Sequence, residues 1–168
     1  VGQTLTIPGT DKPTTPDEPV KPDEPGDTRI PTSAVFTMTT GGQVLGYSVD
    51  GIDQYYGIPY AVAERFMAPQ KTSWEGTKVC WAYGEVCPQW GEVAEQDPFN
   101  FMHIQKLMIE NEKKCLNLNV LTKGVNADGS LKPVFVWFHG GGWTTGSSYQ
   151  QDLYDGINLV DIGDVVFV

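Results

Sequence analysis

The sequence has few basic residues and no long apolar run. Eleven Lys and Arg stand against twenty-one Asp and Glu among 168 residues, which gives a net charge of −10 at pH 7. A nucleic-acid-binding protein needs a basic stripe that neutralises phosphates, and the longest basic run here is Lys113-Lys114. No apolar run approaches the ~20 residues that cross a bilayer. We therefore expect neither a nucleic-acid partner nor a membrane span.

Cysteine is also scarce, with only Cys80, Cys87 and Cys115 present. An odd number allows one bridge and one remaining thiol. No Cys-x-x-Cys pair occurs, and His103 and His139 are isolated from every cysteine, so no zinc pattern is present. We expect no metal and no cofactor. The composition, 40% hydrophobic and 11% aromatic, is that of a chain with a buried core.

The chain divides into a linker at 1–32 and a folded part at 33–168. The linker contains a Pro-Asp-Glu-Pro unit at 16–19 and again at 22–25. Proline removes backbone donors, and the segment has almost no apolar side chains to offset the entropy lost on ordering. We therefore predict an extended, semi-rigid spacer.

The folded part begins with strand signals. Ala34–Thr40 and Gln43–Val49 are rich in β-formers and flank the turn at Gly41-Gly42, which predicts a hairpin. A third strand is predicted at Ile52–Tyr56. The spacing of the apolar residues predicts a helix over Phe99–Glu112.

The second half of the chain has the pattern of an α/β protein. A strand is predicted at Leu116–Leu121, and the apolar run Pro133–Phe138 predicts a strand buried on both faces. Residues 150–160 are expected to form a short helix, and Val165–Val168 another buried strand. A final strand with no element to cover it would expose both faces and an edge, so the sequence is expected to be an incomplete domain.

The strongest chemical signal follows the run Pro133–Phe138 and reads His139-Gly140-Gly141-Gly142-Trp143. Consecutive glycines at a strand end allow positive φ angles and let amide N–H groups point into a cavity. Such amides can hold the oxyanion that develops during acyl transfer, and His-Gly-Gly-Gly is the motif of lipases and esterases. A phosphate-binding loop would instead need Gly-Lys-Ser/Thr at the start of a helix, and no lysine follows.

These residues and others resemble the type-B carboxylesterase (cholinesterase-like) family of α/β-hydrolases. The resemblance runs in order from about residue 34 to the last residue. It is carried by Gly46 to Asp53, Tyr56 to Ala61, Arg65-Phe66, Pro69, Trp74 with Gly76, Tyr83-Gly84, Cys87-Pro88-Gln89, Cys115 to Val120, Lys132 to Trp143, Gly146-Ser147-Ser148, Tyr154-Asp155-Gly156 and Asp164 to Val168. It implies the N-terminal part of an α/β-hydrolase fold, in which an antiparallel hairpin precedes a mostly parallel central sheet.

The resemblance also implies roles for the glycine motif. The amides of Gly141 and Gly142 would be oxyanion-hole donors, with Gly140 in the same loop. Trp143 would either line the acyl side of the substrate pocket or pack beneath the loop. His139 is not the catalytic histidine of the family, and we expect a structural role for it.

Two cysteines match the first disulfide of the family. A Cys87–Cys115 bridge would enclose residues 88–114, a loop whose closure stabilises by ~3–3.5 kcal/mol. Cys80 matches nothing and is expected to be a buried or inert thiol.

Arg65 belongs to a motif whose arginine pairs, in the family, with an acidic residue just before the second cysteine of the disulfide. Lys113-Lys114 replaces the usual acidic residues there, so Arg65 either pairs with Glu112 or lacks this partner.

The implied activity is hydrolysis of small carboxylic esters through an acyl-enzyme by a secreted or cell-surface serine esterase. No Gly-x-Ser-x-Gly nucleophile elbow occurs in the sequence. The serine, acid and histidine are thus expected in a C-terminal remainder, either continuous or cleaved into a separate chain, and this chain alone is expected to be inactive. The alternative is a catalytically inactive cholinesterase-like binding or adhesion protein. A hormone-sensitive-lipase-like esterase would share the glycine motif but not the pair Cys87 and Cys115.

Overall fold

A computed structural model describes residues 31–89 and 108–168. Most of the predicted linker and residues 99–107 of the predicted helix lie outside the described residues. Thr32, at the end of the predicted linker, already joins the sheet, because its amide and hydroxyl both donate to Ser48 O. The described strands are β1 Ser33–Thr39, β2 Gly42–Val49, β3 Ile52–Pro59, β4 Ala61–Val62, β5 Gln70–Lys71, β6 Thr77–Val79, β7 Asn117–Thr122, β8 Val134–Phe135 and β9 Val166–Phe167.

The main sheet has the strand order β1-β2-β3-β7-β9-β8, with β6 paired to β2. The predicted hairpin is confirmed, because β1 and β2 pair antiparallel with Thr39 opposite Gly42. The pairs β2–β3, β3–β7 and β7–β9 are also antiparallel, whereas β6–β2 and β8–β9 are parallel. The described part of the sheet is therefore mainly antiparallel, and parallel pairing of consecutive strands begins with β8 and β9. A separate small sheet consists of β4 and β5.

β8 and β9 are joined by a crossover that contains the glycine motif. After β8 come the glycine loop, a 3₁₀ helix at Asp152–Tyr154 and the α-helix α1 at Ile157–Gly163. The predicted helix at 150–160 is thus two short pieces, because Gly156 adopts a φ of 68° and separates them. Ligands of α/β sheets bind at the carboxyl ends of such parallel strands, which is where this loop lies. Neither helix of the described ranges has the length and apolar character needed to cross a membrane.

Apolar side chains pack on both faces of the sheet. Alternate residues of a strand point to opposite faces, and Tyr55 and Tyr56 accordingly belong to different clusters. One cluster packs α1 against the sheet through Val160 and contains Ile52, Tyr56, Leu121, Val160 and Phe167. The other contains Val44, Tyr55, Ile58 and Cys80. Cys80 is 1% exposed, so the expected burial of this thiol is confirmed.

Two sequence predictions need correction. The run Pro133–Phe138 forms only the two-residue strand β8, and Val134–Phe138 are exposed rather than buried on both faces. The reason is that β8 is the edge of the described sheet and has only β9 beside it. Residues 108–112 of the predicted helix Phe99–Glu112 are not helical, since Glu110 instead forms a bridge with Val86.

Candidate functional site

The glycine motif forms a tight turn. Gly141 O accepts hydrogen bonds from the amides of Thr144 and Thr145, each at 3.1 Å, and from both threonine hydroxyls at 3.2 Å. The two central residues of the 141–144 turn have positive φ, 61° at Gly142 and 67° at Trp143, and Gly141 has a φ of 120°. Positive φ at both central positions is the signature of a type I′ turn, which favours glycine. Two of the three glycines thus meet a backbone requirement.

The amides of Gly140, Gly141 and Gly142 donate to no acceptor in the part of the chain that the structure describes. Gly140 and Gly142 line a cavity of about 950 Å³, and Gly141 lies between them. Buried backbone N–H groups are almost always paired in folded proteins, whereas these exposed glycines leave theirs open to solvent or to a ligand. A run of donors without a protein acceptor beside a cavity can therefore bind an oxygen atom of a ligand.

Trp143 is fully exposed and also lines the cavity. Its indole does not pack beneath the glycine loop. A bulky residue with positive φ is unusual and costs backbone energy. The loop consequently presents its largest side chain to the open side of the cavity.

Part of the cavity wall is aromatic. The rings of Tyr83 and Tyr149 are stacked with centroids 4.4 Å apart, and Tyr56 contacts Tyr83 at 4.5 Å. All three line the cavity. Burial raises the pKa of Tyr83 to about 12 and raises the pKa of Tyr56 well above its ordinary value. These phenols therefore remain neutral near pH 7 and provide an apolar surface with hydroxyl tips rather than a base.

His139 contacts the backbone of its own loop. Its Nδ1 lies 2.7 Å from Gly140 O, and the side chain is exposed. The contact restrains the peptide between Gly140 and Gly141, which carries the Gly141 amide. In the described ranges, no group of three His, Cys, Asp or Glu side chains could hold a metal ion.

Cys87 and Cys115 are neighbours that line the same cavity, but the structure holds all three cysteines as free thiols. The predicted bridge is thus not formed in this structure, although its two partners are neighbours. Burial, together with the neighbouring Cys87, raises the pKa of Cys115 to about 11. The protonated thiol is therefore strongly favoured at Cys115.

Arg65 pairs with Glu112, one of the two alternatives that the sequence left open. Arg65 Nε lies 3.0 Å from Glu112 Oε1. Lys113 pairs with Glu64 at 3.7 Å, and Lys114 pairs with Glu85 at 3.6 Å. These ion pairs attach the segment before Cys115 to residues 64–85. Both partners of the Arg65–Glu112 pair are largely exposed, so we expect it to contribute at most about 1 kcal/mol.

Gln89 is a residue of the site whose role the sequence did not reveal. Its side-chain amide accepts a hydrogen bond from Gly146 N at 2.6 Å and donates to Gly146 O at 3.2 Å. Its Nε2 also donates to Cys87 O at 2.7 Å. Gln89 and Gly146 are 57 residues apart, so no local spacing could have paired them. The single signal was the position of Gln89 within the Cys87-Pro88-Gln89 motif.

Comparison with known proteins identifies the relatives of the chain. Residues 32–168 match the model of the carboxylesterase family. Curated relatives include the cocaine esterase of Oryctolagus cuniculus, 33% identical over 76% of this chain and 25% of that protein. Another is carboxylesterase 3 of Homo sapiens, 36% identical over 77% of this chain and 24% of that protein. The chain thus spans about a quarter of the length of these relatives.

Solved structures agree with the sequence relatives. An esterase from Clostridium hathewayi, described as able to hydrolyse aliphatic aromatic polyesters, superimposes with a TM-score of 0.69 at 33% identity. The match covers 83% of this chain and 27% of that esterase. The predicted fold class, the N-terminal part of an α/β-hydrolase, is confirmed.

Proposed function

The chain belongs to the carboxylesterase family, and from this premise we propose that the protein containing it hydrolyses carboxylic esters, with Gly141 and Gly142 as donors of the oxyanion hole. The supporting observation is the set of amides at Gly140, Gly141 and Gly142 that have no acceptor among the described residues. In acyl transfer the ester carbonyl oxygen becomes negative as the tetrahedral intermediate forms. Fixed amides stabilise this charge without reorganisation.

The chain spans about a quarter of the length of its relatives. We further propose that the nucleophilic serine, its histidine and its acid lie in the remaining part of the protein. The chain itself contains no Gly-x-Ser-x-Gly elbow. In a triad mechanism the serine attacks the ester carbon, the histidine takes its proton and returns it to the leaving alcohol, and water then hydrolyses the acyl-enzyme. This chain would contribute the amides that stabilise the oxyanion and would be inactive by itself.

The cavity supports a small ester with an apolar acyl or alcohol group as the substrate. Its wall includes Tyr83, Tyr149 and Trp143, and apolar walls with few polar groups are typical of small-molecule sites. We propose that Trp143 contacts the acyl group. We also propose export from the cell together with a Cys87–Cys115 bridge, since disulfides persist in oxidising compartments.

The test is Gly142→Ala in the complete protein that contains this chain. A Cβ at Gly142 would meet no protein atom within 4 Å, so the methyl group itself would not clash with the loop, although the φ of 61° strains an alanine there. We expect kcat on a short-chain aryl ester to fall about a hundredfold to a thousandfold. KM should change less, because the ground-state carbonyl uses these donors weakly. Gly141→Ala is less informative, because its Cβ would overlap Thr145 O.

Gly129→Ala is the matched control. Gly129 has a φ of 75° and also has nothing within 4 Å of an added Cβ, but it does not line the cavity. It therefore reproduces the backbone strain of Gly142→Ala without touching the site, and its kcat should equal that of the parent. Equal kcat values for Gly142→Ala and the parent would disprove the oxyanion assignment. A complete parent protein that hydrolyses no ester would favour the binding or adhesion protein.

A further inference from the structure

We propose that Gln89 is a positioning residue that sets the geometry of the oxyanion loop from outside it. This inference rests on the proposed function, because it concerns the same glycine amides. Gln89 contacts no glycine of the motif directly. Its effect would reach them through Gly146, which ends the loop.

The orientation of the Gln89 amide is fixed by its partners. Gly146 N must donate, so the atom 2.6 Å away has to be the oxygen Oε1. The other atom is then Nε2, whose two hydrogens reach Cys87 O at 2.7 Å and Gly146 O at 3.2 Å. The side chain thus pairs with both backbone groups of Gly146 and with the carbonyl of Cys87. Its two hydrogen bonds to Gly146 restrict the orientation of Gly146 as well as its distance from Gln89.

Gly146 is packed closely against the start of the motif. It has a φ of 102°, and a Cβ on it would lie 2.5 Å from Gly140 O and 2.8 Å from His139 Nδ1. The preceding residue, Thr145, donates to Gly141 O and places its own carbonyl against the Cα of Gly141. A shift of Gly146 must therefore displace the peptides of Gly140 and Gly141. Positioning errors of about 1 Å remote from the reacting atoms can cost a hundredfold in rate.

Gln89 also connects the loop to the cysteine pair. Its Nε2 donates to the carbonyl of Cys87, and Cys115 lines the same cavity as Cys87. The glycine loop is thus attached through the Gln89 side chain to Cys87, at the start of the 88–114 segment. A displacement of Cys87 would be transmitted to the oxyanion donors.

The experiment compares Gln89→Met with the parent in the complete protein. Methionine keeps the length of the side chain but makes none of the three hydrogen bonds. We expect kcat on an aryl ester to fall about tenfold to a hundredfold with KM little changed. The affinity for an aryl trifluoromethyl ketone, which forms a tetrahedral adduct, should fall in proportion to kcat/KM, since such analogues report transition-state binding. Gln70→Met is the control, because the exposed side chain of Gln70 donates, within residues 31–89 and 108–168, to Ala68 O alone, and it should match the parent.

Gln89→Glu provides the second variant in case Gln89→Met does not fold. It keeps an acceptor for Gly146 N but replaces Nε2 by a charged oxygen that repels Cys87 O and Gly146 O, so kcat should fall at least as far as in Gln89→Met. A lower melting temperature with unchanged kcat and unchanged ketone affinity in either variant would overturn the positioning role and leave a structural one. If the parent hydrolyses esters while Gln89→Met is fully active, only this inference fails. If the parent hydrolyses none, the proposed function fails.

Discussion

The glycines of the motif differ in what a methyl group at each would do. Gly141 is confined by Thr145 O, whereas Gly140 and Gly142 face open space. Gly142 additionally needs a positive φ, and Gly140 does not. Backbone requirements therefore explain glycine at 141 and 142, while at 140 the reason must be the space kept free beside the cavity.

Tyr83 gives a prediction about alkaline pH. Its pKa is raised from 10.0 to about 12, mainly by burial, while its hydrogen bond with Tyr56 acts in the opposite direction. Between about pH 10 and 12 the unfolded chain therefore binds fewer protons than the folded chain, so the free energy of unfolding falls as the pH rises through this window. Below pH 10 the contribution of Tyr83 is fully present and constant.

The variant that isolates this effect is Tyr83→Phe, which keeps a ring to stack on Tyr149 but has no proton to lose. Denaturant unfolding of the complete protein at pH values from about 8 to 11.5 should show a steeper loss of stability for the parent. The difference in slope should be at most about 1.4 kcal/mol per pH unit. Parallel curves for the two proteins would show that Tyr83 ionises equally easily in both states.

The sequence was sufficient to locate single residues when their role depends on the local backbone. His139-Gly140-Gly141-Gly142-Trp143 could be assigned to a strand end because positive φ angles demand glycine there. The role of Gln89 could not be predicted, since it depends on a contact with Gly146 that only the folded chain creates. The choice of Glu112 as the partner of Arg65 was likewise left open by the sequence and is answered by the ion pair.

At the scale of elements, the hairpin of β1 and β2 was predicted closely. The extents of β8 and of the helix in the crossover that follows it were not. The hairpin is specified by β-formers on both sides of Gly41-Gly42, a purely local signal. β8 is shorter than its apolar run because its length depends on which strands pair beside it, and among the described residues only β9 does. The helix at 150–160 is divided at Gly156, where a Cβ would clash with the ring of Phe167.

The segment between Cys87 and Cys115 gives a prediction about oxidation. The two thiols are neighbours in the structure, and we expect them to be bridged in protein recovered from an oxidising compartment. Peptide mapping without reductant should then find Cys87 linked to Cys115 and Cys80 free. In Cys80→Ala the link should persist. Recovery of Cys87 and Cys115 as free thiols would contradict the bridge, and reduction of a bridged protein should lower the free energy of unfolding by about 3 kcal/mol.

At the scale of the whole molecule, the described structure exposes a large apolar surface around β8. Val134, Val136 and Phe138 are each at least 50% exposed, and Phe135 and Trp137 are more than 40% exposed. Contiguous apolar patches on soluble proteins mark surfaces that another element covers. An edge strand with free backbone groups is, in addition, a template for further pairing. We expect strands and helices from the remainder of the protein to cover this surface.

A fragment of residues 31–168 made alone tests this expectation. It should bind a hydrophobic fluorescent dye and self-associate, because the surface around β8 has no cover. Production together with the remainder of the protein should abolish dye binding and give a defined species in size-exclusion chromatography. A monomeric fragment that binds no dye would show that this surface closes on itself.

Trp143 places stability and activity in opposition. Its backbone has a left-handed conformation and its indole is fully exposed, so the folded state has a conformational cost with no packing in return. Glycine at this position would relieve a cost of about 1 kcal/mol, yet it would remove the side chain that we propose contacts the acyl group. Selection for heat resistance alone would therefore favour glycine at position 143, and retention of a large residue there would indicate selection for turnover.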